Sequence, residues 1–425
     1  MPRRQGYALL IALVAGTAAL AAAVAFAGSL LFSGPGTGTG TGTRPKQGAV
    51  PDPRSVARTP AAPAHSTGLW AATWTAAPVT GVTDSYNSSA LNRRTVRNVV
   101  HTSIGGDAAR ITLSNAFGTR PLVMDRVTVN TRPVTFAGAA TVTVAAGGQI
   151  VSDPVTVPVP ADSDLVVTLR TPTAQGPVTI HERGHQTSYV DTAWGTRRTD
   201  GWRYLTAVDV HTTTAAGTIA VIGDSLTAGT GSSLDTNSRW PDVLADRLGG
   251  RYGVANAGIA GNRILRDGRG GHGVRASARF DRDVLDVAGV KTVVIALGIN
   301  DVQQSPQETD PQRIADGLRA MTLRAHARGL QVVGATLMPY EGYATWTPGS
   351  NDVRERVNAL IRAGGIFDSV IDFDAAARDP YRPTRLLPAY DSGDHLHLND
   401  AGYRQLGSMV DLTTLVHEQP TSDQL

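Results

Sequence analysis

Four short stretches of this chain carry residues that could do chemistry together. Ser225, Gly261 and Asn300 each follow an apolar run, and Asp394 and His397 lie three residues apart in the fourth stretch. A serine hydroxyl becomes a nucleophile when a base takes its proton, and a histidine base needs a carboxylate that fixes its tautomer. The set therefore has the residue types for acyl transfer through a serine. Taken singly, Ser225, Gly261 and Asn300 are equally typical of turns at strand ends.

The elements that would position these residues are predicted from an apolar pattern that changes after residue 213. Apolar runs then alternate with helical patterns, which predicts a doubly wound parallel sheet. Ligands of such sheets bind beyond the carboxyl ends of the strands, where the four stretches lie. Ser238 is predicted as the N-cap of the first long helix. The apolar runs are residues 219–222, 253–256, 292–297, 332–337 and 370–373, and the later helices are 311–328, 351–363 and 399–410.

The region before this sheet, residues 69–213, has short β-rich runs separated by turn residues about every ten residues. Several runs alternate apolar and polar residues, as expected for strands with one buried face. The pattern predicts an all-β domain, either a sandwich or a jelly roll. The clearest runs are residues 95–104, 109–113, 125–130, 140–145, 165–169 and 186–190.

The amino terminus predicts export. Arg3 and Arg4 precede an apolar segment, residues 7–32, that is long enough to span a bilayer. Residues 1–34 are therefore a signal peptide or a retained membrane anchor, and the sequence leaves both open. Residues 35–68 are rich in Gly, Thr, Pro and Ala and are expected to be a disordered linker. The catalytic region would span residues 214–415, with a short tail at 416–425, and the protein would be extracellular or attached to the cell surface.

Composition excludes several classes of function. The chain has 425 residues, with 39 Lys and Arg against 36 Asp and Glu, so its net charge of +3 does not favour nucleic-acid binding. It has no cysteine, which excludes disulfides, thiolate catalysis and cysteine-ligated metals. We expect no metal and no organic cofactor. The stretch from His181 to His185 lacks a third ligand and is predicted to lie on the surface of the β domain.

Together the four stretches resemble the characteristic blocks of the SGNH (GDSL-type) hydrolases, which are esterases and acyl hydrolases with a flavodoxin-like sheet. The front region is similar to an extracellular branch of acetylxylan-esterase-type proteins, so the resemblance covers about residues 70–412. The matching segments include Gly223-Asp224-Ser225-Leu226, Gly298-Ile299-Asn300-Asp301, Asp394-His395-Leu396-His397 and Trp70-Ala71-Ala72-Thr73-Trp74.

The resemblance implies a role for each site residue. Ser225 would be the nucleophile, His397 its base and Asp394 the carboxylate that orients His397. The oxyanion hole would take the backbone N–H groups of Ser225 and Gly261 and the side-chain amide of Asn300. The implied activity is cleavage of a carboxylic ester through an acyl-serine intermediate, with a carbohydrate O-acetyl esterase as one form of it. The substrate would be a small-molecule ester, a lipid or an acetylated polysaccharide. Two alternatives stay open: a lipase-like acyl hydrolase, and a non-catalytic surface protein that binds polysaccharide. We expect a monomer.

Some neighbouring residues have two interpretations. His395 is a competing base, although its side chain is expected to point away from Asp394. Asp224 and Asp301 are interpreted as structural residues that bind backbone amides. The loops at residues 267–273 and 340–346 should border the cleft, either in contact with substrate or only as connections.

Overall fold

A computed structural model of the protein describes residues 68–81 and 91–415. The predicted export segment at 1–34, nearly all of the predicted linker and the tail at 416–425 lie outside these residues. Within the described residues, no helix is long and apolar enough to cross a bilayer. The described residues form one compact unit that contains both an antiparallel and a parallel part.

The first part is an antiparallel β sandwich, as the alternation predicted. Along one of its strands Leu165, Val167 and Leu169 are buried while the residues between them are partly exposed. The strands in chain order are β1 Leu69–Thr75, β2 Val79–Thr80, β3 Arg94–Thr102, β4 Gly106–Ser114, β5 Leu122–Val129, β6 Arg132–Pro133, β7 Val142–Val144, β8 Gln149–Val151, β9 Val155–Val159, β10 Ser163–Thr171, β11 Thr179–Thr192, β12 Gly195–Arg203 and β13 Leu205–Thr212.

Two sheets form this sandwich. One has the strand order β1-β13-β4-β8, with β9 also paired to β4. The other has the order β12-β11-β3-β10-β5-β6, with β2 on β11 and β7 on β5. Because β11 lies beside the edge strand β12, any irregularity in it is close to the rim of the sandwich.

The second part is a five-stranded parallel sheet of order β15-β14-β16-β17-β18, which is the flavodoxin-like order expected from the resemblance. Its strands are β14 Thr218–Gly223, β15 Gly253–Gly258, β16 Val290–Ala296, β17 Gln331–Ala335 and β18 Ser369–Ile371. Its helices are α1 Ser225–Ala228, α2 Trp240–Leu248, α3 Ala276–Phe280, which continues as a π-helical turn Asp281–Leu285, α4 Ile299–Gln303, α5 Pro311–His326, α6 Pro348–Arg362, α7 Phe373–Ala377 and α8 Asp400–Met409, followed by a 3-10 turn Leu412–Thr414.

Strand β14 is buried on both faces of the sheet. Ile219 and Val221 pack on the side of α2 and α8, whereas Ala220 and Ile222 belong to a core that continues into the β sandwich. Complete burial of an isoleucine side chain contributes about 1.5–3 kcal/mol, so this strand is strongly held. Its carboxyl end at Gly223 therefore presents the next residues at a fixed height above the sheet.

The register of the parallel sheet aligns the ends of its three neighbouring strands. Gly223 of β14 lies opposite Gly258 of β15 and Ala296 of β16. Since β15 and β16 lie on opposite sides of β14, the loops after these strands meet around the end of β14. This point is the topological switch at which open α/β sheets place their ligands.

The β sandwich is attached to the beginning of the parallel sheet by buried hydrogen bonds. The backbone N–H of Ala72 donates to Thr218 Oγ1 at 3.0 Å, and that hydroxyl donates to the carbonyl of Ala288 at 2.8 Å. The N–H of Val254 donates to Ser103 Oγ at 2.9 Å. These bonds fix the sandwich on the first two strands of the site-bearing sheet.

The predicted N-cap of the first long helix was wrong by one residue. The cap of α2 is Arg239, because the carboxylate of Asp242 accepts both its backbone N–H, at 3.0 Å, and its Nε, at 2.6 Å. The hydroxyl of Ser238 instead donates to Asp400 Oδ1 at 2.6 Å. A distant carboxylate thus takes the side chain that local sequence favoured as a cap.

Candidate active site

Ser225 is the first residue of α1, directly after the buried strand β14. Asp224 is the N-cap of this short helix, and its Oδ1 accepts the backbone N–H of Leu226 at 3.0 Å. This is the structural role expected for Asp224. Ser225 is only 6% exposed, so its hydroxyl lies in a recess at the switch point.

His397 joins Ser225 and Asp394 in one hydrogen-bonded chain. Its Nε2 lies 2.8 Å from Ser225 Oγ, and its Nδ1 lies 2.6 Å from Asp394 Oδ2. A carboxylate can only accept, so Nδ1 carries the proton and Nε2 is left as an acceptor for the serine hydroxyl. The hydrogen bond between Ser225 and His397 joins residues that are 172 positions apart in sequence. The three side chains therefore have the order of an acid, base and nucleophile chain, and His397 has the tautomer that this chain requires.

The carboxylate of Asp394 is held in its charged form. Partial burial opposes ionisation, but hydrogen bonds from the His397 ring and from the backbone N–H groups of His397 and Leu396 lower the pKa of Asp394 below its ordinary value. The two backbone bonds reach Oδ1 at 2.8 and 3.0 Å, which leaves Oδ2 for the imidazole. The segment thus supplies both a fixed carboxylate and the histidine that it orients.

His395 belongs to a separate pair. Its Nδ1 lies 2.6 Å from Asp391 Oδ2, and Asp391 Oδ1 accepts the His395 backbone N–H at 3.0 Å. The side chain of His395 is 52% exposed and its ring lies beside Gly342, whereas that of His397 is 11% exposed. The competing base is therefore directed away from Ser225, as expected.

The orientation of the Asn300 amide is fixed by its neighbours. Its Oδ1 accepts the side-chain N–H groups of Gln303 and Gln304, both at 2.8 Å. The opposite atom must then be Nδ2, which donates one hydrogen to the carbonyl of Asn262 at 3.1 Å. Among the described residues its second hydrogen has no acceptor, so it can donate to a ligand. Sequence reasoning missed both glutamines, although their spacing of three and four residues from Asn300 places them on the same helical face.

Gly261 is a glycine for two physical reasons. Its φ is +75°, which side-chain-bearing residues adopt with strain. A Cβ there would also lie 2.4 Å from Cγ of His272. Within the described residues, the backbone N–H groups of Gly261 and Ser225 donate to no protein acceptor. Both N–H groups are therefore available at the switch point.

This fold and these blocks agree with one family. Residues 221–405 match the model of the GDSL-like lipase/acylhydrolase family. Residues 221–405 are a domain of this family, called the GDSL-like domain below. The GDSL-like domain is accordingly a hydrolase of ester bonds, and the match includes all five residues of the candidate site.

Several solved structures of GDSL-type and related esterases are similar to the GDSL-like domain. A carbohydrate acetylesterase from Sinorhizobium meliloti is 18% identical with a TM-score of 0.37, over 45% of this chain and 94% of that one. An aryl esterase from M. smegmatis is 19% identical with a TM-score of 0.38, over 45% and 94% of the two chains. A GDSL-like lipase from Bacteroides thetaiotaomicron is 18% identical with a TM-score of 0.35, over 46% and 86%. No curated protein matched the chain.

A buried arginine that sequence reasoning missed donates hydrogen bonds to the backbone just before two of the site loops. Arg279 is 2% exposed and donates to the carbonyls of Gly223, at 3.2 Å, and Ala257, at 2.8 Å. Its Nε donates to Asn262 Oδ1 at 3.0 Å, and Asp283 balances its charge at 3.1 Å. Arg279 therefore ties together the ends of β14 and β15. The available signal was its spacing of four residues from Asp283, which is also typical of a solvated helix face.

Asp301 has the structural role that was expected. Its carboxylate accepts the backbone N–H groups of Ile264, at 2.8 Å, and Leu265, at 3.0 Å. These bonds connect the loop after β16 to the loop after β15. The relative position of Asn300 and Gly261 is fixed by this connection.

The prediction that the stretch from His181 to His185 lies on the surface was wrong for its first member. The His181 ring is buried, its Nδ1 lies 2.8 Å from the carbonyl of Ala77, and burial lowers its pKa to about 4. His185 is half-buried. The reason is tertiary: the His181 ring packs against the ring of Trp202, with centroids 5.4 Å apart, and bonds to Ala77, so other strands of the sandwich bury it.

The burial of Asp224 predicts a pH-dependent stability. Burial raises the pKa of Asp224 to about 7. The folded state therefore binds a proton that the unfolded state has released above about pH 4, and the free energy of unfolding falls as pH rises from about 4 to 7. In Asp224→Asn, which keeps an acceptor for Leu226, this fall is absent. Between pH 5 and pH 8, the free energy of unfolding of the variant should rise by about 2 kcal/mol relative to that of the wild type, as measured by urea unfolding. A difference that does not change with pH would contradict this assignment.

Proposed function

We propose that the protein is an exported serine esterase that cleaves carboxylic esters through an acyl intermediate on Ser225. The observation that carries the proposal is the 2.8 Å contact of Ser225 Oγ with His397 Nε2, continued by the 2.6 Å contact of His397 Nδ1 with Asp394. A hydroxyl, an imidazole and a fixed carboxylate in this order are the parts of a nucleophile that is activated by a general base.

In the first half of the reaction, His397 Nε2 takes the proton of Ser225 as Oγ attacks the carbonyl carbon. The imidazolium that forms is stabilised by the Asp394 carboxylate, which stays charged. The carbonyl oxygen becomes anionic and accepts from the N–H groups of Ser225 and Gly261 and from Asn300 Nδ2. As the tetrahedral intermediate collapses, the imidazolium gives its proton to the alcohol oxygen, and the alcohol leaves with Ser225 acylated.

The second half repeats these steps with water. His397 removes a proton from a water molecule, which attacks the acyl carbon, and the same donors stabilise the second oxyanion. The imidazolium then returns the proton to Ser225 Oγ, and the carboxylic acid is released. Ester and water are thus converted to acid and alcohol with the enzyme unchanged.

The acyl group that we favour is short, with an O-acetylated carbohydrate as the substrate class. An apolar cluster adjoins the nucleophile and the base, but its centre is closed: Ile299, Leu396 and Tyr340 are at most 2% exposed. Tyr343 packs edge-on against His397, with ring centroids 6.2 Å apart. Only the borders of this cluster remain for an acyl group, and that favours a small one.

In the lipase-like alternative, a longer acyl chain would bind against the same apolar cluster. Leu226, Tyr343 and Trp346 are partly exposed beside it and could contact a longer chain if the loop moved. Rates with 4-nitrophenyl acetate, butyrate, octanoate and decanoate separate the two functions, together with release of acetate from acetylated xylan. We expect kcat/KM to be highest for acetate or butyrate. A continuous rise through decanoate would favour the lipase-like enzyme instead.

The oxyanion role of Asn300 predicts a loss in kcat. Asn300→Ala removes one of three donors, and such a loss typically costs about 10²–10³-fold in kcat, or 2.7–4 kcal/mol. KM for 4-nitrophenyl acetate should change little, because the donor acts on charge that develops in the transition state. Steady-state kinetics check this, with thermal unfolding as a control for the hydrogen bonds that Asn300 makes to its neighbours. If the variant instead bound the substrate more weakly while its kcat stayed unchanged, this role of Asn300 would be contradicted.

A further inference from the structure

Strand β11 of the sandwich has a large bulge close to the candidate site. Its pairing with β12 passes from Glu182 opposite Gly201 directly to Thr187 opposite Asp200, so residues 183–186 have no partner on the neighbouring strand. Arg183 and His185 both adopt left-handed backbone conformations, with φ of +55° and +54°. Bulges next to active sites commonly redirect a side chain, and non-glycine residues with positive φ persist where surrounding contacts hold them.

The bulge is anchored on both sides. Gly184 packs so closely on the buried Trp202 that a Cβ would lie 2.4 Å from its ring. Across the domain boundary, Arg239 Nη1 donates to the Gly184 carbonyl at 3.3 Å, and the N–H of Asp235 donates to the carbonyl of His185 at 3.0 Å. The bulge is therefore a fixed part of the boundary between the sandwich and the GDSL-like domain.

This arrangement places the bulge at a small cleft that we name the bulge cleft. It has a volume of about 60 Å³ and is lined by His181, Glu182 and Arg183, by Val79, and by residues 259–260 and 270–272 of the GDSL-like domain. That volume has room for several water-sized groups. Two of the four segments that line it, residues 259–260 and 270–272, precede and follow Gly261.

The bulge cleft is connected to the oxyanion donors by direct contacts. The His272 ring packs on Gly261, where a Cβ would overlap it, and it also hydrogen-bonds to the side chain of Gln304. Gln304 Nε2 donates to the carbonyl of Gly261 at 3.0 Å and to Asn300 Oδ1 at 2.8 Å. His272 therefore lines the bulge cleft and also contacts Gly261, whose N–H is a proposed oxyanion donor.

The polar side chains that line the bulge cleft include a carboxylate, a guanidinium group and an imidazole. Glu182 is half-buried, and its Oε1 is buried with no hydrogen-bond partner among the described residues. Arg183 is exposed at the rim. Burial, together with the charge of Arg183, lowers the pKa of His272, so its imidazole is neutral and can both donate and accept. An acyl chain in this cleft would remove water from these groups without replacing their hydrogen bonds.

We propose that the bulge cleft is a subsite for the hydroxyl-bearing alcohol portion of the ester, such as a sugar ring, with Glu182 and Arg183 of the β sandwich as specificity-determining residues. A free hydroxyl on the alcohol portion can donate to the Glu182 carboxylate and accept from Arg183, whereas a plain aryl or alkyl group has no hydroxyl left once its oxygen is in the ester. The inference rests on the proposed esterase function and assigns the sandwich a part in substrate recognition.

The test compares two substrates with the same acetyl group. The kcat/KM values for an acetylated xylo-oligosaccharide and for 4-nitrophenyl acetate are measured with the full chain, with Arg183→Asn, which tolerates positive φ, and with Glu182→Ala. The matched control is Arg198→Ala, an exposed arginine of β12 that does not line the cleft. We expect the ratio of the two values, oligosaccharide over 4-nitrophenyl acetate, to fall about tenfold in each cleft variant and to stay within about twofold in the control.

Two outcomes overturn the proposal. One is a ratio that stays within about twofold of the wild type in both cleft variants, and the other is an equal fall in Arg198→Ala. Calorimetry of the deacetylated oligosaccharide with Ser225→Ala gives a second readout without turnover, and its affinity should weaken with Arg183→Asn in the same background. Failure of the esterase proposal itself looks different, because Ser225→Ala would then hydrolyse both substrates as fast as the wild type.

Discussion

Ser225→Ala is expected to lower kcat/KM for 4-nitrophenyl acetate by about 10⁴-fold or more. The Ser225 hydroxyl is the group on which the acyl intermediate forms, and no other hydroxyl is hydrogen-bonded to His397 Nε2 among the described residues. The small remaining rate would come from the oxyanion donors and from substrate binding. Steady-state kinetics with protein free of contaminating esterases measure the loss.

Stability separates this effect from misfolding. Within the part of the chain that the structure describes, the Ser225 side chain makes one hydrogen bond, to His397, so the alanine variant should keep its thermal unfolding midpoint within a few degrees. The double variant Ser225→Ala/His397→Ala should be no slower than Ser225→Ala alone, because residues that act as a unit are not additive. Retention of more than about a tenth of the wild-type rate in Ser225→Ala would remove Ser225 from the mechanism.

His397→Ala is expected to cost about 10⁴-fold in kcat, and His395→Ala less than about threefold. The chain provides this matched pair itself, since each histidine is bonded through Nδ1 to an aspartate at 2.6 Å. The decisive difference is Nε2, which reaches Ser225 only in His397. Loss of activity in His395→Ala with activity retained in His397→Ala would reverse the assignment of the base.

The parallel sheet was predictable because its strands are short apolar runs that need no distant information. Residues 219–222 are buried on both faces and are followed directly by Gly223, so both strand and loop are encoded locally. The site was predictable for a related reason. Ser225, Gly261 and Asn300 follow strands that prove to be adjacent, and Asp394 and His397 share a single turn.

What the sequence did not predict depends on contacts between distant segments. The hydroxyl of Ser238 is taken by Asp400, 162 residues away, so the cap moves to Arg239. The bulge at 183–186 depends on docking against Asp235 and Arg239, and neither the burial of His181 nor the left-handed Arg183 can be inferred from local pattern. Whether Ser225, Gly261, Asn300, Asp394 and His397 carry the proposed roles stays a prediction for the variants above.

The most direct test of the acyl-serine mechanism is covalent labelling. The protein is incubated with a fluorophosphonate ester, which reacts with an activated serine, and is examined by intact mass and peptide mapping. We predict a single adduct on the peptide that contains Ser225, formed in step with loss of esterase activity and absent from both Ser225→Ala and His397→Ala. Inactivation with the label on another residue, or full activity after complete labelling of Ser225, would contradict the mechanism.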